Sequence, residues 1–442
     1  MNPKILIVYS KIVYPLLFIL LVLGISLSLE GCEDCQMKST YIYYEPVYTP
    51  LEEVRAAVQL ESPRAIASPG RLYFKDGYLF INEVGKGLHI IDNRDPSAPV
   101  NLKFLAIPGN YDLAIQGNTL YADSYIDLVS FDISDLQQIK EVDRQLGAFK
   151  SYNLFDYFQP EACCVITDLV EKENVSELPC EVQFQPWGGV FFREGIALTA
   201  DGAKNFSAPQ ALAPGGMNTG IGGSLARFTI VNHYLYMLDG GEIQTADISL
   251  ENSPELLNRT YVSWDIETIF PHGTNLFIGS RSGMHIYDLT DPSQPAPVSV
   301  YSHVVSCDPV IVDDQYAFVT LRSEGLNRCQ NAVNQLEIID ISSLQSPTLV
   351  KTYPMVNPHG LGKDGSTLFI CDGEAGLKVY NAENVMTLDQ NLLYQFKNLD
   401  ALDVIPFQSV LMLIGVDGIY QYDYSDPNNM KLLSILNIVH AN

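Results

Sequence analysis

Three features predict an all-β chain: seven copies of one alternating apolar run, a regular interval between most of them, and a recurrent Asp/Ser/Pro turn behind them. The architecture they predict is a β-propeller, with seven four-stranded blades and one long insertion. The runs are Gly87–Asp92, Asp127–Asp132, Glu242–Asp247, Gly283–Asp288, Gln335–Asp340, Gly376–Asn381 and Gly418–Asp423. Their first residues lie 40, 115, 41, 52, 41 and 42 positions apart, so five of six intervals fit one supersecondary unit.

Within a unit the apolar period is two. Asn118–Asp123 and Tyr234–Asp239 are rich in β-branched, aromatic and leucine residues, with Gly, Asn or Asp at their ends. The second unit shows four such runs: Tyr111–Gln116, Thr119–Asp123, Asp127–Ile133 and Ile139–Gln145. One four-stranded unit leaves open edges and an uncovered face, and radial stacking removes both. Closing the ring requires a last outer strand, which either Glu53–Leu60 or Lys431–Ile438 supplies.

The turns behind the runs read Asp92-Asn-Arg-Asp-Pro-Ser-Ala-Pro99, Asp288-Leu-Thr-Asp-Pro-Ser-Gln-Pro295 and Asp340-Ile-Ser-Ser-Leu-Gln-Ser-Pro347. Asp and Ser side chains bond the backbone of such a turn, while Pro presets φ and stops the strand. Asp423–Pro427 keeps the pattern, and Asn381–Asn384 departs from it. Together, run and turn resemble the LVIVD repeat over roughly residues 71–147 and 224–440. The resemblance implies a propeller and says little about function, because propellers host many functions.

The N-terminus predicts the compartment. Lys4 and Lys11 precede an uncharged apolar stretch, Ile12–Leu29, which ends at Leu29-Glu-Gly-Cys32. This resembles the bacterial lipobox, which implies cleavage after Gly31 and acylation of Cys32. An uncut transmembrane anchor is the alternative reading of the same stretch. Glu33-Asp34 resembles the acidic export signal of surface lipoproteins of the Bacteroidetes type. The expected layout is a signal peptide over 1–31, a tether over 32–50 and a propeller over 51–442, in an outer-membrane lipoprotein exposed at the surface. Cleavage leaves 24 Lys+Arg against 51 Asp+Glu, a net charge of −27. So acidic a body repels nucleic acid and anionic lipid, so the acyl chains alone are expected to hold it to the membrane.

The 115-residue interval places an insertion at about 148–223. It contains Cys163, Cys164, Cys180, Trp187 and further aromatics that include Phe155, Tyr157, Phe158, Phe184, Phe191 and Phe192. It reads either as a flap stapled by Cys180 and Cys163 or Cys164, or as a recognition flap anchored by Trp187. A second excursion, Ser323–Asn334, makes Cys307 and Cys329 a further candidate disulfide. Cys371 lies in an apolar run and reads as a core thiol. Spacing favours no metal site, no cofactor is indicated, and Gly215, Gly216, Gly220, Gly222 and Gly223 make no phosphate loop.

Catalytic patterns are weak. Ser282, His285 and Asp288 look triad-like, but His285 repeats the position of His89 and so belongs to the strand. His359 stands where an inner strand begins near the channel. A ring of residues follows the second run of each unit: Asn82-Glu83, Asp123, Asp239, Arg281, Arg322, Asp372 and Asp417. Turn preference explains Asp and Asn, whereas Arg281 and Arg322 are not turn formers and point to an anionic or carbohydrate-like ligand. The binding candidates are therefore Trp187, Arg281, Arg322, His359, Asp123 and Asp372. The expected function is non-catalytic binding or scaffolding of an envelope protein or glycan. The alternative is an extracellular glycan hydrolase or lyase acting at the channel mouth.

Overall fold

The computed structural model describes residues 36–150, 163–179, 219–222, 224, 226–304, 309–323 and 333–439. Seven four-stranded antiparallel units form the propeller, at 69–106, 113–145, 228–261, 266–302, 310–354, 361–396 and 401–437. We number them blades 1 to 7 and their strands from inner to outer. In every blade four consecutive strands pair in chain order, which is the unit that the sequence repeat predicts. The second strands are buried on both faces, so they read as nearly continuous apolar runs. In Tyr78–Glu83, Leu79 and Ile81 pack toward blade 7 while Phe80 packs toward blade 2.

The repeat residues have separate mechanical roles. In the turns between third and outer strands, Asp92, Asp132, Asp247, Asp288, Asp340 and Asp423 each accept the backbone N–H two residues on, at 2.7–3.2 Å. Asp95, Asp135, Asp291 and Asp426 repeat the device one step later in four blades. These turns also latch neighbours: Tyr121 and Tyr236 donate to Glu251 O and Pro292 O of the following blade, each at 2.8 Å. The glycine that opens several third strands makes room. A Cβ on Gly87, Gly283 or Gly376 would run into the outer-strand carbonyl of Leu105, Tyr301 or Phe396.

Lys431–Asn437 is the outer strand of blade 7, so the C-terminal candidate completes the last blade. The N-terminal candidate does something else. Leu51–Ala56 is a short helix, and Gln59–Glu61 adds a strand outside blade 1. Closure rests on contacts between complete blades. Ile66 bridges Ile438, Val439 N donates to Ile66 O at 2.8 Å, and buried Asn93 and Gln421 exchange amide hydrogen bonds at 2.8 and 2.6 Å.

The tether and the insertion, both without a repeat marker, pair with each other. Gln36–Pro50 pairs with Cys164–Pro179 as a two-stranded ribbon. Its distal part is a compact unit of its own, tied by Tyr44 to Glu171 at 3.1 Å and by Glu45 to Lys172. Its base belongs to the propeller unit, where Leu51 N donates to Cys163 O, Val54 and Val165 pack on Tyr125, and Arg55 clamps Asp127 at 2.7 and 3.1 Å.

Candidate functional site

Strand alternation assigns every connection to one of two faces. Inner-to-second turns and third-to-outer turns share one, the turn face. Second-to-third hairpins and blade-to-blade connections share the other, the loop face. The insertion departs after the outer strand of blade 2, and the 323–334 excursion is a hairpin of blade 5, so both originate on the loop face.

All the ring residues sit at loop-face hairpins, and most of the carboxylates are already engaged. Asp123 Oδ1 accepts from Tyr111 N at 2.8 Å, Asp112 N at 2.9 Å and Asn110 Nδ2 at 2.8 Å. Asp372 accepts from Val356 N at 3.0 Å, Asn357 N at 2.8 Å and Lys378 Nζ at 2.5 Å. Asp239 takes Lys150 N and Arg259, while Glu83 takes Ala67 N and His89. In three blades, then, an acid at the end of the second strand pins the connection arriving from the previous blade, and in blade 1 Glu83 pins the segment leading in from the N-terminal strand. Asp123 is pushed up to about 6, by burial first and by neighbouring Asp112, despite its N–H donors.

Arg322 and His359, nominated separately, meet. The Arg322 guanidinium donates to His359 Nδ1, and both residues are buried. Burial, and then Arg322, hold the imidazole well below its usual value, so it is neutral and accepts the bond. His359 also ties blade 5 to blade 6, accepting from Thr320 Oγ1 at 2.7 Å. The triad-like trio does not assemble. His285 lies near Ser280 rather than Ser282, and Asp288 caps its turn at the far end of the strand.

Arg281 has a different setting. Its guanidinium lies 4.6 Å from the ring centroid of Trp264, and its Nε is 3.8 Å from Glu267. Trp264 is 69% exposed, so this stack faces solvent. Trp264 occupies no repeat position, so the sequence pattern does not mark it. Its backbone is held firmly: Val262 N donates to Gly241 O at 2.9 Å, Arg281 N donates to Asp265 O at 3.1 Å, and Ser263 Oγ bonds the Asp265 carboxylate. A Cβ on Gly241 would approach Ser263 O at 2.6 Å, so glycine there lets the loop close down.

Around the channel, Ile221–Gly222 pairs with Phe74 and Tyr73 on the inner edge of blade 1. Gly220 and Gly222 lie against the Tyr73 ring, where any side chain would collide or crowd, which gives these glycines a packing role. Nearby, Arg71 donates to Tyr111 O at 2.7 Å and lies 3.7 Å from Asp112, which in turn accepts from Arg227 N at 2.5 Å and Phe228 N at 3.1 Å. Asp403 of blade 7 is fully buried; burial outweighs the neighbouring Val404 N–H and the charge of Arg71 and pushes it well above the carboxylate range.

Cys163 and Cys164 are joined to each other at the ribbon base rather than either of them being free to bridge elsewhere. Cys371 is a buried free thiol. Cys32, Cys180, Trp187, Cys307 and Cys329 lie outside the described residues. Among the described residues no group of three or more His, Cys, Asp or Glu is placed to share a metal ion, and no helix is long and apolar enough to cross a membrane.

The loop face exposes large apolar side chains around most of the ring: Leu146, Tyr261, Trp264, Val304, Val356, Val416 and Val439. Among the described residues the turn face exposes four, Leu250 and Met386 in its turns and Val100 and Leu392 where outer strands leave them.

Fold and repeat together define a seven-bladed β-propeller with an elaborated loop face. Comparison with known proteins agrees with the repeat: the LVIVD repeat matches residues 71–104 and 331–354, within blades 1 and 5. No curated protein matches the chain in sequence. Among solved structures, a protein from Lactobacillus plantarum is similar at a TM-score of 0.53 and 13% identity, over 84% of this chain and 97% of that one. At that identity the likeness concerns the fold alone. The computationally designed Ika8 protein matches at a TM-score of 0.48 and 9% identity, over 87% and 93% of the two chains.

Proposed function

We propose that this propeller is a lipid-anchored binding module of the cell envelope, which docks an envelope protein or glycan on its loop face and catalyses no reaction. The observation that carries the reading is the apolar ring on that face, seven large side chains from Leu146 round to Val439 against four at the turn face among the described residues. Large exposed side chains gathered on one surface mark interaction sites, whereas single scattered ones do not. The engaged ring carboxylates agree with this reading, since Asp123, Asp239 and Asp372 spend their oxygens on holding the connections. Cys32 is the proposed acylation site, and its lipid would retain a body of net charge −27 that an anionic surface repels.

The test uses the full lipoprotein, purified in detergent with its native partners. Val356→Asp combined with Val416→Asp is expected to remove a stoichiometric partner or captured glycan, and Leu250→Asp to retain it. Equal retention by both proteins would contradict the reading. For the anchor, radiolabelled fatty acid is expected on the wild type and absent from Cys32→Ser. Protease added to intact cells is expected to digest the protein, and resistance would contradict surface exposure.

A further inference from the structure

We propose that Trp264, with Arg281 and Glu267, forms a carbohydrate-binding platform for a neutral pyranose. The proposal rests on the reading of the loop face as the docking surface and names the ligand class for one part of it. An indole stacked on one side and open on the other offers a flat apolar surface matched to the C–H face of a sugar ring. The Arg281 guanidinium covers one side at 4.6 Å, and the exposure of Trp264 leaves the opposite side to solvent. At the rim, Arg281 and Glu267 supply donors and acceptors side by side, the pairing that vicinal hydroxyls require.

Charge decides between neutral and acidic sugars. Arg281 and Glu267 put opposite charges 3.8 Å apart, while the body carries a large negative excess, so uronates and sialic acids meet net repulsion. Rigidity favours a binding role over an incidental surface tryptophan. The loop is bonded on both sides of Trp264, and Gly241 lets its backbone sit against the hairpin of blade 3, so little ordering cost remains on binding. Tyr261, three residues earlier, is also exposed, which extends the aromatic surface toward the outer edge of blade 3.

The chain has two tryptophans, Trp187 and Trp264, which makes fluorescence a direct reporter. The full lipoprotein in detergent is titrated with neutral gluco-, manno- and galacto-oligosaccharides, with sialylated and uronate-containing glycans as controls. At least one neutral oligosaccharide is expected to bind saturably and to change emission in the wild type and in Trp187→Phe. Trp264→Ala is expected to weaken that binding at least tenfold and Arg281→Ala several-fold, with circular dichroism unchanged. Trp264→Tyr, which keeps an aromatic platform, is expected to retain part of the affinity. Binding that survives Trp264→Ala overturns the proposal, as does binding restricted to acidic glycans. A protein partner on this face, with no sugar bound, also overturns it but leaves the docking surface standing. Failure of every loop-face interaction would remove both.

Discussion

The two faces of the propeller treat the same residue type in opposite ways. On the turn face, Asp92, Asp132, Asp247, Asp340 and Asp423 are half-buried, and donors two residues on, Arg94 for Asp92 and serines for the others, hold them below the usual carboxylate range. On the loop face and at the channel, Asp112, Asp123, Asp400 and Asp403 are pushed up, in each case by burial first. Glu83 and Glu242 are loop-face exceptions: His89 holds the first down, and Lys150 and Arg259 the second. The turn face is thus a repeated, locally satisfied surface. The loop face is where the chain spends stability on buried charge, long connections and exposed apolar groups.

The largest expected effect comes from crowding a loop-face glycine. Gly376→Ala puts a Cβ into the Phe396 carbonyl at a φ of +83°, and is expected to cost about 3 kcal/mol in urea unfolding. Gly365→Ala, on the turn face at a φ of +54° with nothing near its Cβ, is expected to cost about 1 kcal/mol. Equal losses would erase the contrast.

Asp403 sharpens the comparison next. Its folded-state pKa is raised, so its contribution is fully present below the ordinary carboxylate value and is lost as pH rises through the folded one. Asp403→Leu is therefore expected to stabilise the protein by about 2 kcal/mol at neutral pH, with the gain shrinking toward pH 4. A gain independent of pH would contradict this account. The lowered turn-face carboxylates have the opposite sign. Their contribution is present above the unfolded value and is lost as pH falls, so wild-type stability should drop steeply on acidification below about pH 4.

Tyr236→Phe removes the 2.8 Å bond to Pro292 O, one of the latches between a second strand and the turn of the next blade, and is expected to cost about 1 kcal/mol. The smallest effect is Trp264→Ala, expected to stay within about 0.5 kcal/mol because the ring is 69% exposed. A larger loss would make Trp264 structural and weaken its assignment to binding.

What sequence made legible follows the same division. The turn face repeats, so the Asp and Ser devices, the blade count and the strand boundaries of blade 2 could be read directly. Gln36–Pro50 and Cys164–Pro179 pair across more than a hundred residues, and neither strand carries a repeat marker, so the ribbon was not legible. Arg281 stood out because it breaks the turn preference of its position. Its partner Trp264 did not, because an exposed residue in a connection leaves no periodic signal. Arg322 and His359 were each visible, but their contact depends on how blades 5 and 6 are juxtaposed.

The central claim, that the loop face is the docking face, is tested most directly by footprinting the full chain, on the proposal that it is held in the cell envelope. Side-chain labelling in native envelopes is compared with labelling of the purified protein. The account predicts protection at Trp264, Val356 and Val416 in the envelope, with Leu250 and Met386 labelled equally in both states. Protection of Leu250 and Met386 with the loop-face residues unchanged would contradict it.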